Sequence, residues 1–277
     1  MDLRKKSYPE DHWLRSADPE EALNAYMDQQ SKAYSQVKNA FIRELAGDLR
    51  GKRVLDYGCG AGLFAVQAAL AGAAQVVALD AEENVLVTAR YFARREGVEH
   101  VCEFVLSDRF PEWSERTRFD LIVVKDVLEH VPDDTGLLNS CAVALVPGGK
   151  LVLSTQNSLS LNYLIEGLYH RAWLGDHEWF GWDPTHLRFY TPTSLAHKVR
   201  QAGLRTVSWR SAYLIPYKLP GLPGSKRQFL RLDALSWIDR ALGQFFPYNR
   251  LGWNIILLAQ TSPLVTRRLG IPAPVAA

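Results

Sequence analysis

The run Arg53-Val54-Leu55-Asp56-Tyr57-Gly58-Cys59-Gly60-Ala61-Gly62 restricts the fold of this chain more than any other segment. An apolar strand passes straight into a glycine-rich turn, an acid sits just ahead of the first glycine, and the alanine-rich residues 63–71 continue as a helix. A strand, turn and helix of this kind let backbone N–H groups approach a bound nucleoside with no Cβ in the way. The glycines fall at 58, 60 and 62, which is not the G-x-G-x-x-G spacing of dinucleotide binders. Asp56 adds chemical information. A carboxylate at the strand tip repels a pyrophosphate but suits a ligand carrying an ammonium group.

Later segments repeat the pattern. Gln75-Val76-Val77-Ala78-Leu79-Asp80 is a short apolar run ending in an acid, one βαβ step further on, where a carboxylate can hold a ribose diol. Residues 101–107 read as a third strand, followed at once by Asp108. Phe119-Asp120-Leu121-Ile122-Val123-Val124-Lys125-Asp126 is nearly continuously apolar, as expected of a strand buried on both faces. Leu145-Val146-Pro147-Gly148-Gly149-Lys150-Leu151-Val152-Leu153-Ser154 predicts a helix end, a tight turn and a fifth strand. Taken singly, each piece has a structural explanation. Asp56 can cap its turn, and Asp80 can cap a helix beginning near Ala81. Together they converge on the carboxyl ends of adjacent strands, where open α/β sheets bind ligands.

In this order the motifs resemble those of class I S-adenosylmethionine-dependent methyltransferases, over residues 52–203. The resemblance implies an α/β, Rossmann-like, seven-stranded and mostly parallel sheet with an antiparallel final strand. It implies S-adenosyl-L-methionine as cofactor, contacted by Asp56, Gly58, Cys59, Gly60 and Gly62 around the turn. Asp80 and Ala81 would face the ribose, Ser107 and Asp108 the adenine, and Lys125, at the end of the fourth strand, would be a further cofactor contact. A NAD-dependent oxidoreductase is disfavoured by the glycine spacing and by Asp56.

Composition fits a soluble cytoplasmic enzyme. Of 277 residues, 47% are hydrophobic, enough for a substantial core, and the net charge of +2 gives no reason to expect a nucleic-acid partner. Cys59, Cys102 and Cys141 form neither a C-x-x-C pair nor a metal-ligand spacing, which points to a reducing compartment. No apolar run follows the N-terminal charges, so no signal peptide is expected, and unbroken apolar stretches such as 255–259 are far too short to span a bilayer.

Three additions flank the core. Residues 1–51 predict two helices, one opened by Asp18-Pro19 and one with Val37, Phe41, Ile42 and Leu45 at helical spacing. In related methyltransferases such helices form a lid over the cofactor, so Tyr26, Tyr34 and Lys38 are candidate contacts. The domain proper would then run over 52–262, with 263–277 as a tail. A first insertion, 158–190, follows the fifth strand and is rich in aromatics that either stack on a planar acceptor or pack a small core of their own. A second, 213–248, separates a sixth strand at 204–212 from a seventh at 253–260. It predicts a proline-rich loop and an amphipathic helix over 228–245. Lys226, Arg227, Arg231 and Arg240 there read as a solvated face, with peripheral membrane contact or a homodimer as less favoured alternatives.

Asp126-Val127-Leu128-Glu129-His130 follows the fourth strand, where an acceptor would meet the methyl group. This acid-x-x-acid-His run is similar to that of ubiquinone-pathway O-methyltransferases and small-RNA 2′-O-methyltransferases, although the first acid is here aspartate rather than glutamate. That resemblance implies a magnesium site formed by Asp126, Glu129, His130 and His186, with His177 as a second candidate for the last ligand. Alternatively the run is a metal-free scaffold, with His186 or His130 as general base. O-methylation of a small hydroxylated aromatic or quinone-like acceptor is the leading expectation. N-methylation of a small amine or ring nitrogen, or S-adenosylmethionine binding without methyl transfer, remain alternatives.

Overall fold

The computed structural model describes residues 16–110, 118–181, 183, 185–215, 218–220, 229–231 and 233–261. Two helices come first, α1 (Pro19–Ser31) and α2 (Ala33–Ala46). Asp18 caps α1 by accepting the Glu20 N–H at 2.9 Å, and Pro19 occupies the first turn, where no N–H is needed. Then follow β1 (Arg53–Tyr57), α3 (Leu63–Leu70), β2 (Gln75–Asp80), α4 (Glu83–Arg95), β3 (Cys102–Leu106), β4 (Phe119–Lys125), α5 (Asp134–Ala144) and β5 (Leu145–Gln156). The remainder comprises α6 (Leu161–Leu168), α7 (Pro192–Gln201), β6 (Leu204–Ala212), β7 (Lys218–Pro220), β8 (Phe229–Arg231), α8 (Ser236–Leu242) and β9 (Asn254–Thr261).

Seven strands form one sheet in the order β3-β2-β1-β4-β5-β9-β6. The strands from β3 to β5 pair in parallel, and β9 runs antiparallel between β5 and β6. Alternate side chains of each strand enter opposite cores. Val54, Val76, Val123 and Val152 join Leu23, Phe41, Phe64 and Phe92 from α1 to α4 on one face. Leu55, Val77, Ile122 and Leu151 join Leu138, Cys141, Leu195 and Val199 from α5 and α7 on the other. Burial on both faces explains why β4 reads as an unbroken apolar run. Order reverses between β1 and β4, which opens a crevice at their carboxyl ends.

Three local expectations change. The turn predicted at Pro147–Gly149 lies within β5, absorbed as a register shift against β4, with Gly148 at φ 77°. Helix α4 starts at Glu83 and is not capped by Asp80. The amphipathic helix expected over 228–245 shrinks to α8, preceded by the β7–β8 hairpin. Its position is set by a polar anchor instead of an apolar stripe, because buried Asp239 accepts the Leu214 N–H at 2.9 Å together with that of Tyr213. Lys226, Arg227, Pro216, Pro223 and Gly224 lie outside the described residues. Among those described, no helix is long and apolar enough to cross a membrane.

Candidate active site

The glycine turn is tight because its own N–H groups are used internally. Gly58 and Cys59 both donate to the Leu79 carbonyl at 2.8 Å, Gly60 donates to Asp80 Oδ2 at 2.9 Å, and Gly62 donates to the Cys59 carbonyl at 3.1 Å. The glycines therefore supply conformation and space more than donors. Gly58, at φ 73°, has Val127 pressed against it so closely that a Cβ would overlap the valine methyl. Tyr26 of α1 reaches over the turn, its hydroxyl 3.8 Å from where a Gly60 Cβ would stand. Cys59 is buried, and burial pushes its thiol well above the ordinary range.

Asp56 is buried at the tip of β1, and its Oδ2 accepts no hydrogen bond among the described residues. Burial pushes its carboxyl up to about 7, with the Lys125 charge and the Ala65 backbone pulling the other way. A buried carboxylate with an uncommitted oxygen fits an incoming ammonium. Asp80 spans two turns, accepting from Gly60 N–H and, through Oδ1, from Glu82 N–H at 3.2 Å. Ala81 beside it is exposed. Ser107 donates its N–H to the Asp80 carbonyl at 2.9 Å and its hydroxyl to the Arg109 carbonyl at 2.7 Å, while Asp108 is exposed. Lys125 is half-buried at the end of β4, and burial followed by the nearby Lys38 charge brings its ammonium down to about 8. All these residues line the carboxyl ends of β1 to β4.

Asp126 stands apart from the acid-x-x-acid-His pattern. It adopts a left-handed backbone, φ 54°, rare for a residue with a side chain. Its carboxylate ion-pairs with Lys38 of α2 and accepts from Ser154 Oγ at 2.9 Å and Asn254 Nδ2 at 3.1 Å. Burial opposes that charge, but Lys38 and Lys125 hold the carboxyl well below its usual range. The Lys38 ammonium, which also lies 4.9 Å over the Tyr34 ring, is raised in return despite its burial.

Glu129, His130 and His186 do come together, each offering one ligand atom, all within 4.8 Å of one another. Asp126 is not part of this cluster, and His177 is exposed outside it. Glu129 is fully buried. One oxygen accepts from Thr155 Oγ1 at 2.8 Å, and the other accepts nothing among the described residues. Burial, then the Asp126 charge, pushes its carboxyl up to about 8. His130 Nδ1 lies 3.3 Å from the Thr185 carbonyl and 3.2 Å from its hydroxyl, and the His130 and His186 rings are 4.7 Å apart. His186 Nε2 is 3.8 Å from Asp183.

The aromatic insertion divides. Tyr163 packs Trp179 at 5.3 Å, Phe189 at 4.9 Å and Trp253 at 5.8 Å, forming a small core of its own. Tyr169, Trp173 and Phe180 are exposed, Tyr190 is buried against α5, and Trp182 lies outside the described residues. Lys38, a candidate contact of the lid helices, is taken up by Asp126, and the contributions of Ser154, Thr155 and Asn254 are not apparent from motifs. The one signal is polarity at strand ends, since Ser154-Thr155-Gln156-Asn157 interrupts an otherwise apolar β5.

The sheet order places the glycine turn and the strand-end acids at the switch point of an open α/β sheet, the crevice where such sheets bind ligands. A family profile described as a methyltransferase domain matches residues 28–208. The ubiquinone biosynthesis O-methyltransferase of Neisseria meningitidis serogroup C is 37% identical over 163 residues, 57% of this chain and 65% of that protein. The protein of the same name from Bordetella pertussis is 33% identical over 180 residues, 64% of this chain and 72% of its own length. The chain thus spans about two thirds of these relatives. Among solved structures, an S-adenosylmethionine-dependent methyltransferase from Mesorhizobium loti shares the fold at TM-score 0.53 and 20% identity, covering 81% of this chain and 97% of that one. The chain belongs to this family of S-adenosylmethionine-dependent methyltransferases.

Proposed function

We propose that the enzyme transfers a methyl group to a hydroxyl oxygen of a small aromatic or quinone-like acceptor. The observation that carries this is the Glu129–His130–His186 cluster, with Glu129 buried and both histidines half-buried, built on the loop after β4 whose Val127 packs against Gly58 of the glycine turn. The names of the curated relatives agree with such an acceptor. S-adenosylmethionine, when bound, supplies an electrophilic methyl group. Asp56 would hold its ammonium and Asp80 its ribose, with α1 and α2 as a lid carrying Tyr26 over the turn.

On the acceptor side, displacement at carbon requires a nucleophilic oxygen in line and a destination for its proton. Glu129 has an uncommitted oxygen, and in its ionised form, whose share grows as the pH passes about 8, it can take the acceptor's proton. His130 or His186 can accept that proton in the same place. The same donor set fits a divalent ion, which would lower the pKa of the acceptor hydroxyl. Glu129, His130 and His186 would hold it, while Asp126 is committed to Lys38. One oxygen and two imidazole nitrogens suit a transition ion better than the magnesium expected from the resemblance. The three cysteines are free thiols, in keeping with a cytoplasmic setting.

Incubation with 3,4-dihydroxybenzoate or a hydroquinone, with and without exhaustive chelation, tests the proposal. Methylated product is expected in the untreated enzyme. Loss on chelation with recovery on adding Mn²⁺ or Co²⁺ supports the ion, and survival of turnover removes it. Methylation of amines in preference to every hydroxylated probe overturns the proposal.

A further inference from the structure

The residues that carry His186 are not part of a helix or of the seven-stranded sheet. Thr185 lies in a turn, with His186 donating its N–H to the Asp183 carbonyl at 3.2 Å, and among the described residues of this segment only Tyr190 makes a bridge, to Asn157. Something else must hold this segment against the loop after β4. Leu187 donates its N–H to the Glu129 carbonyl at 2.9 Å, and the Tyr190 hydroxyl donates to Asp134 at 2.6 Å. Arg188 adds a two-pronged tie. Its Nη1 donates to the Val131 carbonyl at 2.6 Å and its Nη2 to the Pro132 carbonyl at 2.9 Å, while Nη1 also lies 3.3 Å from Asp134. Two residues apart, His186 reaches the Glu129–His130 cluster and Arg188 reaches the 131–134 loop, while Leu187 between them is exposed.

We propose that Arg188 is a positioning residue, clamping the 185–190 segment onto the 128–134 loop so that His186 is held against Glu129 and His130. Among the described residues its hydrogen bonds and ion pair go to Val131, Pro132 and Asp134, outside the three cluster residues. The inference rests on their being the acceptor-side centre. The fork is what matters: a planar guanidinium satisfies two successive carbonyls and still faces a carboxylate, whereas a lysine ammonium can keep the charge but cannot bridge both. Lys198 offers an internal comparison, since it donates to Asp134 at 2.8 Å without reaching the 131–132 carbonyls. Asp134 is thereby stabilised from two sides, only one of which governs the loop.

The test uses full-length protein with ¹⁵N-labelled histidine, comparing wild type, Arg188→Lys, Arg188→Gly and Lys198→Met by the ring resonances of His130 and His186. Arg188→Lys and Arg188→Gly are expected to shift both rings, and millimolar guanidinium should return the glycine variant toward wild type. Lys198→Met should leave both rings in place. With 3,4-dihydroxybenzoate, Arg188→Lys should lower kcat by more than about tenfold, the scale of a misplaced reacting group, with donor affinity within about twofold. Should Arg188→Gly not fold, Arg188→Lys, which keeps its charge facing Asp134, carries the comparison. Unmoved rings in Arg188→Lys, or equal shifts in Lys198→Met, overturn the clamp. If wild type does not methylate the probe, the proposed acceptor fails while the ring resonances still decide the role of Arg188.

Discussion

Replacing Asp56 with asparagine should make the ligand-free protein more stable at alkaline pH and less able to bind its donor. The carboxyl is pushed from 3.8 to about 7 by burial. It holds its proton more tightly folded than unfolded, so the folded state is favoured fully only below about pH 4, and that advantage is lost as pH rises toward 7. At 1.36 kcal/mol per unit, the difference reaches on the order of 4 kcal/mol above pH 7. Asparagine does not titrate, but its amide leaves buried donors that cost about 1–3 kcal/mol. Urea unfolding at pH 4.5, 6 and 8 should therefore show a crossover. Asp56→Asn should be the less stable protein at pH 4.5 and the more stable by about 1–3 kcal/mol at pH 8. Calorimetry should show donor affinity weakened roughly 10–100-fold, the value of a charge-assisted hydrogen bond to an ammonium. Parallel pH profiles for the two proteins would contradict the burial argument. Unchanged donor affinity would remove Asp56 from the cofactor site.

Three further outcomes are expected. Asp80→Ala should weaken donor binding by about 1.5–3 kcal/mol in calorimetry, and it should also loosen the Gly60 turn that Asp80 Oδ2 holds. Lys38→Met or Asp126→Asn alone leaves a buried group without its partner and should cost about 3–5 kcal/mol in urea unfolding, whereas the double variant should cost less than the sum. Trp179→Ala should lose about 3–5 kcal/mol of stability because its ring packs Tyr163, and below the melting temperature donor affinity should stay at the wild-type value.

Residues close in sequence were legible where one backbone event dictates them. The β1–turn–α3 unit, the uninterrupted apolar β4 and the Asp18-Pro19 cap each follow from a local pattern, and the carboxyl-end placement of Asp56 and Asp80 follows from topology. Partnerships between distant elements were not legible. Lys38 sits on an amphipathic helix 88 positions from Asp126, and nothing local marks it as the residue that takes Asp126 out of the acid cluster. Trp253 likewise joins the insertion's aromatic core only because β9 lies beside β5. The helix expected over 228–245 shows the opposite failure. Phe229, Leu230, Leu235, Trp237 and Ile238 fit both a helical and an extended period, and the buried Asp239 that anchors α8 adds nothing to either.

Transfer of an isotope-labelled methyl group from S-adenosylmethionine to a dihydroxyaromatic or hydroquinone probe, with the product's attachment site read by carbon NMR, tests the central claim most directly. A methyl carbon bonded to phenolic oxygen, formed by wild type and depressed by more than about tenfold in Glu129→Gln, is the predicted result. Label found on nitrogen, or oxygen methylation that Glu129→Gln leaves untouched, would contradict it.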